Sequence, residues 1–219
     1  MWMFEDRREA GKKLAMALSG YAGRNDVVVL ALPRGGVPVA FEVACSLRAP
    51  LDLLLVRKLG VPRHRELAMG AIASGGVRVM NDEIVNTLSI SREAIDEVAR
   101  AETVELERRE RAYRGDRDRV DIADQTVIVI DDGIATGATM LAAVSALKKL
   151  KPARVVVAVP TAAADSCIKL RRTADEVISL ANPEPYIAVG RWYRLFPQTS
   201  DVEVKDLLDK AAERHQPTP

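Results

Sequence analysis

The chain has 219 residues, of which 48% are hydrophobic and 29% charged, a composition that excludes a disordered, collagenous or repetitive polymer. At about 150 residues per domain, this length suits one large domain or a core with a small subdomain. Lys and Arg total 32 against 31 Asp and Glu, a formal net charge of +1. Neither nucleic acid nor a cationic partner is called for by a global charge excess, so any polyanion site must be local.

Residues 5–18 carry Leu14, Ala15 and Leu18 at helical spacing among charged positions, which predicts a helix. The run Val27-Val28-Val29-Leu30-Ala31-Leu32 is short, apolar and β-branched between turn residues, as in a strand buried on both faces. Pro33-Arg34-Gly35-Gly36 then turns into a helix over 37–47, and a second strand is expected at 51–56. Residues 57–66 are polar and basic with Gly and Pro and read as a loop. Residues 69–73 and 77–80 flank Ser74-Gly75-Gly76 as a hairpin. Residues 91–114, free of Gly and Pro and capped by Ser91, predict a long helix. Its thin apolar stripe (Ile95, Val98, Leu106) marks a solvated helix. Strand–helix units follow at 126–130 with 139–150 and at 154–159 with 164–172, then a short strand at 176–180. Tyr186, Trp192, Tyr193 and Phe196 crowd the next segment. A helix over 201–210 precedes residues 211–219, read as a disordered tail.

This alternation predicts an α/β fold, a mostly parallel twisted sheet flanked by helices. Ligands in such folds sit at the carboxyl ends of the strands. Cys45 and Cys167 lie far apart in no CxxC and read as free buried thiols, which suits a reducing compartment. No apolar run approaches the ~18 residues of a membrane span. No apolar leader follows the charged Glu5 to Arg8. The expectation is a cytoplasmic location without a membrane partner.

The segment Val127-Ile128-Val129-Ile130-Asp131-Asp132-Gly133-Ile134-Ala135-Thr136-Gly137-Ala138-Thr139 carries the chemistry. A buried strand ends in adjacent carboxylates, and a loop of small and hydroxyl residues leads into a helix. Backbone N–H groups at the positive end of that helix can hold a phosphate, and Gly137 lets the backbone come close to it. Asp131 and Asp132 suit vicinal ribose hydroxyls, directly or through a divalent cation. Neither a GxxxxGK(S/T) loop nor a GxGxxG turn is present.

This segment closely resembles the phosphoribosyl-pyrophosphate (PRPP) signature of type I phosphoribosyltransferases, and the resemblance extends over about residues 27–196. It implies a Rossmann-like core at 1–180 with a flexible loop at about 57–76, and a small C-terminal hood with a final helix at 181–210. It implies that Asp131 and Asp132 hold the ribose while Ala135, Thr136, Gly137, Ala138 and Thr139 wrap the 5′-phosphate. Arg34, Gly35 and Gly36 fall where the family binds pyrophosphate. Arg57 and Lys58 open the catalytic loop and would act with the two acids as the flexible loop closes. Glu66 is placed to contact or protonate the base. Trp192 and Tyr193 lie where a hood aromatic stacks on it.

The implied activity is Mg²⁺-dependent transfer of 5-phosphoribosyl from PRPP to a nitrogenous base, purine-like by preference, with release of pyrophosphate. Mg²⁺ would be held through PRPP, with Asp131 and Asp132 engaging it through water. The alternative is a PRPP- or nucleotide-sensing regulatory protein of the same fold without catalysis. Such relatives often bind nucleic acid, but the neutral charge argues against that partner here. Only the arginines at 108, 109, 111, 114, 117 and 119 speak for it. A homodimer is expected from the family. Ala135 departs from hypoxanthine-guanine enzymes, which usually carry Asp at that position, and so counts against a 6-oxopurine. The pyrophosphate loop and hood do not match adenine enzymes closely, so the base stays open.

Overall fold

A computed structural model of the chain describes residues 3–115 and 117–215. Helix α1 (Arg7–Ala17) precedes β1 (Val27–Ala31), α2 (Gly36–Leu47) and β2 (Leu51–Leu53). Then come β3 (Val56–Val61), β4 (His64–Ala73), β5 (Val77–Met80), α3 (Asp82–Thr87) and α4 (Arg92–Arg114). The second half holds β6 (Thr126–Ile130), α5 (Ala138–Lys149), β7 (Arg154–Thr161), α6 (Ala164–Leu170), β8 (Glu176–Ala181) and α7 (Asp201–His215).

Five strands form one parallel sheet in the order β2-β1-β6-β7-β8. Every residue of β1 and β6 is buried. Alternate side chains point to opposite sides. Val27, Val29 and Ala31 join a core shared with α1, α2, α4 and α7. Val28 and Leu30 join a core shared with α5 and α6. Burial of both faces explains the unbroken apolar runs.

Strand order reverses between β1 and β6, since the chain proceeds from β1 outward to β2 but from β6 outward to β7 and β8. The β1–β6 register runs from Val27 opposite Thr126 to Ala31 opposite Ile130. The loops after both strands therefore leave the same edge side by side, at the position where open α/β sheets bind ligands.

Residues 57–66 depart from the expected loop. Strand β2 stops at Leu53, and Val56 opens a separate antiparallel sheet in the order β3-β4-β5. Leu59 and Val61 are buried at strand spacing and Met69 is buried on the facing strand. This apolar face is masked in the sequence by Arg57, Lys58, Gly60, Pro62 and Arg63. A register shift at Gly60 and a left-handed Arg63 (φ +66°) complete the hairpin. The expected hairpin at 69–80 forms, with Gly75 and Gly76 at positive φ in its turn.

The short α3, capped by Asn81 accepting from Ile84 N at 3.3 Å, has no counterpart in the sequence reading. Helix α7 continues to His215, so residues 211–215 are helical rather than part of a tail. Its Val204, Leu207, Leu208 and Ala211 enter the core, which narrows the hood to the irregular segment before it. Residues 216–219 lie outside the described residues. Cys167 is buried, but Cys45 is only half-buried. No described helix is long and apolar enough to cross a membrane.

Helix α4 is more than a solvated rod. It starts on Ser91, whose Oγ accepts from Ala94 N, and ends at Gly115. Near its end Arg114 donates from Nε to Asp52 Oδ1 at 3.0 Å and from Nη2 to Leu53 O at 3.4 Å, with Nη2 also 2.9 Å from Asp52 Oδ1 as an ion pair. Asp52 also accepts from Leu53 N and Val120 N, so the buried carboxylate is fully partnered. Five of the arginines between 108 and 119 are paired with carboxylates, namely Arg108 and Arg109 with Glu105, Arg114 with Asp52, Arg117 with Asp209 and Arg119 with Glu110.

Removing one partner of a buried pair leaves an uncompensated charge. Asp52→Ala should therefore lower the unfolding free energy by ~3–5 kcal/mol, read by urea denaturation; a loss below ~1 kcal/mol would mean that Glu110, with Oε1 3.7 Å from Arg114 Nη1, compensates the guanidinium instead.

Candidate functional site

The site grows from the end of β6. Asp131 and Asp132 follow the fully buried Ile130, and Asp132 N donates to Asp131 Oδ1 at 2.8 Å. Protein crowds both acids, although part of each stays open to the cleft. Burial pushes the Asp131 carboxyl well above the usual carboxylate range, and the neighbouring Asp132 charge adds to this. Burial also raises Asp132, opposed by the Arg7 guanidinium. One oxygen of each acid is engaged by Arg7 Nε or the Asp132 N–H, and among the described residues no group outside the pair donates to the other. Such a pair gains from a ligand that brings hydroxyl donors or a cation.

Arg7, from the first turn of α1, is a site residue that the sequence reading misses. It is buried at 9% exposure, and its Nε donates to Asp132 Oδ2 at 2.8 Å. Its one sequence signal is faint: a cation at a helix N-terminus, where the dipole favours an anion.

The loop after β1 packs directly on the acids. A Cβ on Gly35 would lie 2.0 Å from Asp132 Oδ2, and one on Gly36 would lie 2.7 Å from Ile130 O and 2.9 Å from Asp131 Cα. These glycines therefore make room for the chain's own acid pair, a constraint that precedes any ligand. The Pro33–Arg34 peptide is cis. Arg34 stands at the mouth, partly exposed, with Nη1 3.4 Å from Asp201 Oδ1. Asp201 also accepts from Tyr113 Oη at 2.7 Å.

Beyond the acids, Ile134 bridges to Ala162 and Ser166 Oγ donates to Ala135 O at 2.6 Å. These contacts fix the loop into α5. Gly137 has φ +77° at the cap position, and among the described residues no side chain caps this helix end. Ala135, Thr136, Ala138 and Thr139 are exposed. The first-turn N–H groups of α5 are thus unshielded, and such groups bind anions.

The hood sits on Gly133, where a Cβ would meet Val189 Cγ1 at 2.6 Å. Tyr193 does not offer a ring to a base. It is 2% exposed, lies between Phe4 (5.5 Å) and Phe196 (4.9 Å), and its Oη donates to Asp132 O at 2.5 Å. It braces the acid from behind. Trp192 is half-buried and tilts against Tyr186 at 6.0 Å. Tyr186, a hood aromatic with no role assigned from sequence, directs its hydroxyl at Thr161 O, 3.5 Å away. Its hydroxyl is pushed up to about 12, first by burial and then by the two acids.

Arg57, Lys58 and Glu66 are not joined to the acids in this arrangement. Arg57 pairs with Glu102 on α4, and Lys58 donates to Glu66 O at 2.8 Å. Arg57 and Lys58 line a separate cleft of about 810 Å³ between β3 and α4, whose walls include neither the acids nor residues 135–139. The segment expected as a lid forms strands β3 and β4 of the antiparallel sheet. Among the described residues no cluster of three or more His, Cys, Asp or Glu forms a metal cage.

Residues 64–190, more than half of the chain, match the family model described as phosphoribosyl transferase domain. A relative in two Mycobacterium tuberculosis strains, named "Putative phosphoribosyl transferase", is 50% identical over 211 residues, covering 96% of this chain and 47% of the relative. The chain thus spans about half the length of the curated relatives it matches. The crystal structure of TT1426 from Thermus thermophilus is 40% identical with a TM-score of 0.86, covering 96% of this chain and 99% of that one.

Two outcomes follow from the packing. A carboxyl raised by burial stabilises the fold below its unfolded value near 3.8 and loses that contribution as pH rises through its folded value. Asp131→Asn should therefore raise the melting temperature at pH 8 by roughly 2–4 °C, equivalent to ~1 kcal/mol in a chain of this length, and the gain should shrink toward pH 4. A pH-independent gain would contradict burial as the cause. Gly35→Ala should displace the Asp132 carboxylate; a crystal structure of the variant with that carboxylate unmoved would refute the steric account.

Proposed function

The chain belongs to the phosphoribosyl transferase domain family, and from that premise we propose that it transfers the 5-phosphoribosyl group of PRPP to a ring nitrogen of a nitrogenous base, with release of pyrophosphate. The observation that carries this reading is the crowded pair Asp131 and Asp132 beside the uncapped N-terminus of α5. One feature suits ribose hydroxyls and the other suits the 5′-phosphate.

Asp131 and Asp132 accept from the two ribose hydroxyls through their unengaged oxygens. Their negative charge favours the positive charge that develops on the sugar as its bond to pyrophosphate breaks. The N–H groups and hydroxyls of residues 135–139 hold the 5′-phosphate. Arg34 exchanges Asp201 for the pyrophosphate, and Arg57 with Lys58 adds cationic stabilisation once released from Glu102 and Glu66. Glu66 then meets the base, which stacks on Trp192 with Tyr186 at its edge. Catalysis on this account is positioning and electrostatics.

The donor set fits Mg²⁺ held mainly by substrate, because this ion takes one or two carboxylates and completes its shell with phosphate oxygens and water. When bound it would neutralise charge on the leaving pyrophosphate. Asp131 and Asp132 are the residues that would face it. A purine-like base is favoured, and Ala135 argues against a 6-oxopurine. The engagement of Arg57 and Lys58 by carboxylates supports a second reading, a protein that binds PRPP as a signal without turning it over.

Calorimetric titration with PRPP and Mg²⁺ should give micromolar binding for the wild type and none for Asp131→Asn/Asp132→Asn. Absence of wild-type binding would sink the PRPP reading. Binding without pyrophosphate release across a panel of bases would favour the sensor.

A further inference from the structure

Asp132 is held from two directions by residues outside its own loop. Arg7 Nε takes Oδ2 at 2.8 Å, and Tyr193 Oη takes the main-chain oxygen at 2.5 Å. The two holders are themselves linked. The Arg7 guanidinium lies 3.7 Å over the Phe196 ring and donates from Nη1 to Pro197 O at 2.7 Å, while Phe196 packs on Tyr193 at 4.9 Å. Phe196 also fills the space beside Gly190, where a Cβ would stand 2.8 Å from its ring.

The N-terminal segment reinforces this circuit. Met3 N and Phe4 N donate to Trp192 O, while Arg194 N and Leu195 N donate to Phe4 O and Glu5 O. The hood is therefore stitched to the residues that lead into α1, and Arg7 is where this assembly touches the acid pair. With Arg7 on one side and Gly35 on the other, the Asp132 carboxylate is wedged so that Oδ2 faces protein. Among the described residues, no group outside the acid pair donates to Oδ1.

We propose that Arg7 is a positioning residue for the sugar phosphate: by fixing Asp132 Oδ2, and by anchoring on Phe196 and Pro197, it sets the hood and the acid in one geometry and leaves Oδ1 for a ligand hydroxyl. This rests on the PRPP reading of the site. Arginine suits the task because its planar fork can bond Asp132 and Pro197 together while stacking on Phe196; a lysine ammonium cannot make that combination.

The test is a double-mutant cycle read as the PRPP dissociation constant in the presence of Mg²⁺, with thermal melting of each variant as a check on folding. Arg7→Met should weaken PRPP binding by about tenfold or more, and Arg7→Lys by an intermediate factor. In an Asp132→Asn background, Arg7→Met should cost less than about threefold further, because the group it positions is already altered. Equal losses in both backgrounds would overturn the proposal, since Arg7 would then act on the fold and not through Asp132. Should Arg7→Met fail to fold, Arg7→Lys in the same two backgrounds carries the same comparison. A wild type that binds while Arg7→Met binds equally well overturns this proposal alone. A wild type that does not bind PRPP overturns it together with the reading of the site.

Discussion

The structure depends on a pairing at the centre of its sheet. β1 and β6 lie parallel with Ala31 opposite Ile130, so two loops from opposite halves of the chain emerge together. Side chains alternate between two cores along both strands, and a one-residue slip would invert every one of them. The register is therefore fixed by burial. That fixes the contact of Gly35 and Gly36 with Asp131 and Asp132 without any ligand to organise it. The site is assembled by the same force that folds the sheet.

What burial assembles, it also strains. Two adjacent carboxyls sit where desolvation disfavours their charge, and the protein answers with one guanidinium and one backbone N–H. These partners take one oxygen from each acid and stop there. A core built for stability alone would replace such a pair with apolar residues. Incomplete satisfaction costs stability and leaves hydrogen-bonding capacity facing the cleft.

Much of this was legible in the sequence because its signals were local. The apolar runs at 27–31, 126–130 and 154–159, the acid pair and the Thr136-Gly137-Ala138-Thr139 turn each lie within a dozen residues, where spacing speaks directly about backbone. The illegible parts depend on distance or on masking. Arg7 meets Asp132 across 125 positions, and Tyr193 Oη finds the main chain of the same residue from the far end of the fold. The β3–β4 hairpin carries its apolar face on Leu59, Val61 and Met69, but basic residues, Gly and Pro at the intervening positions imitate a loop. Tyr193 and Trp192 look equivalent as sequence neighbours. Packing separates them, burying Tyr193 against Phe4 and Phe196 and leaving Trp192 beside Tyr186.

Burial also sorts the ion pairs by what they can do. Arg7–Asp132 and Asp52–Arg114 are nearly closed to water; breaking either strands a charge, so both act as fixed geometry. Arg34–Asp201 and Lys58–Glu66 are open, with the carboxylate in each case largely solvated. Pairs of that kind contribute little and exchange readily. The exposed cations Arg34 and Lys58 are thus held by partners that water can replace, while the cation that orients the acid pair is held by one that it cannot. An anion entering the cleft can recruit Arg34 at small cost, with Asp132 kept in place by Arg7. The division between fixed and exchangeable charge follows from solvent access alone, and it gives the cleft a rigid floor and an adaptable rim.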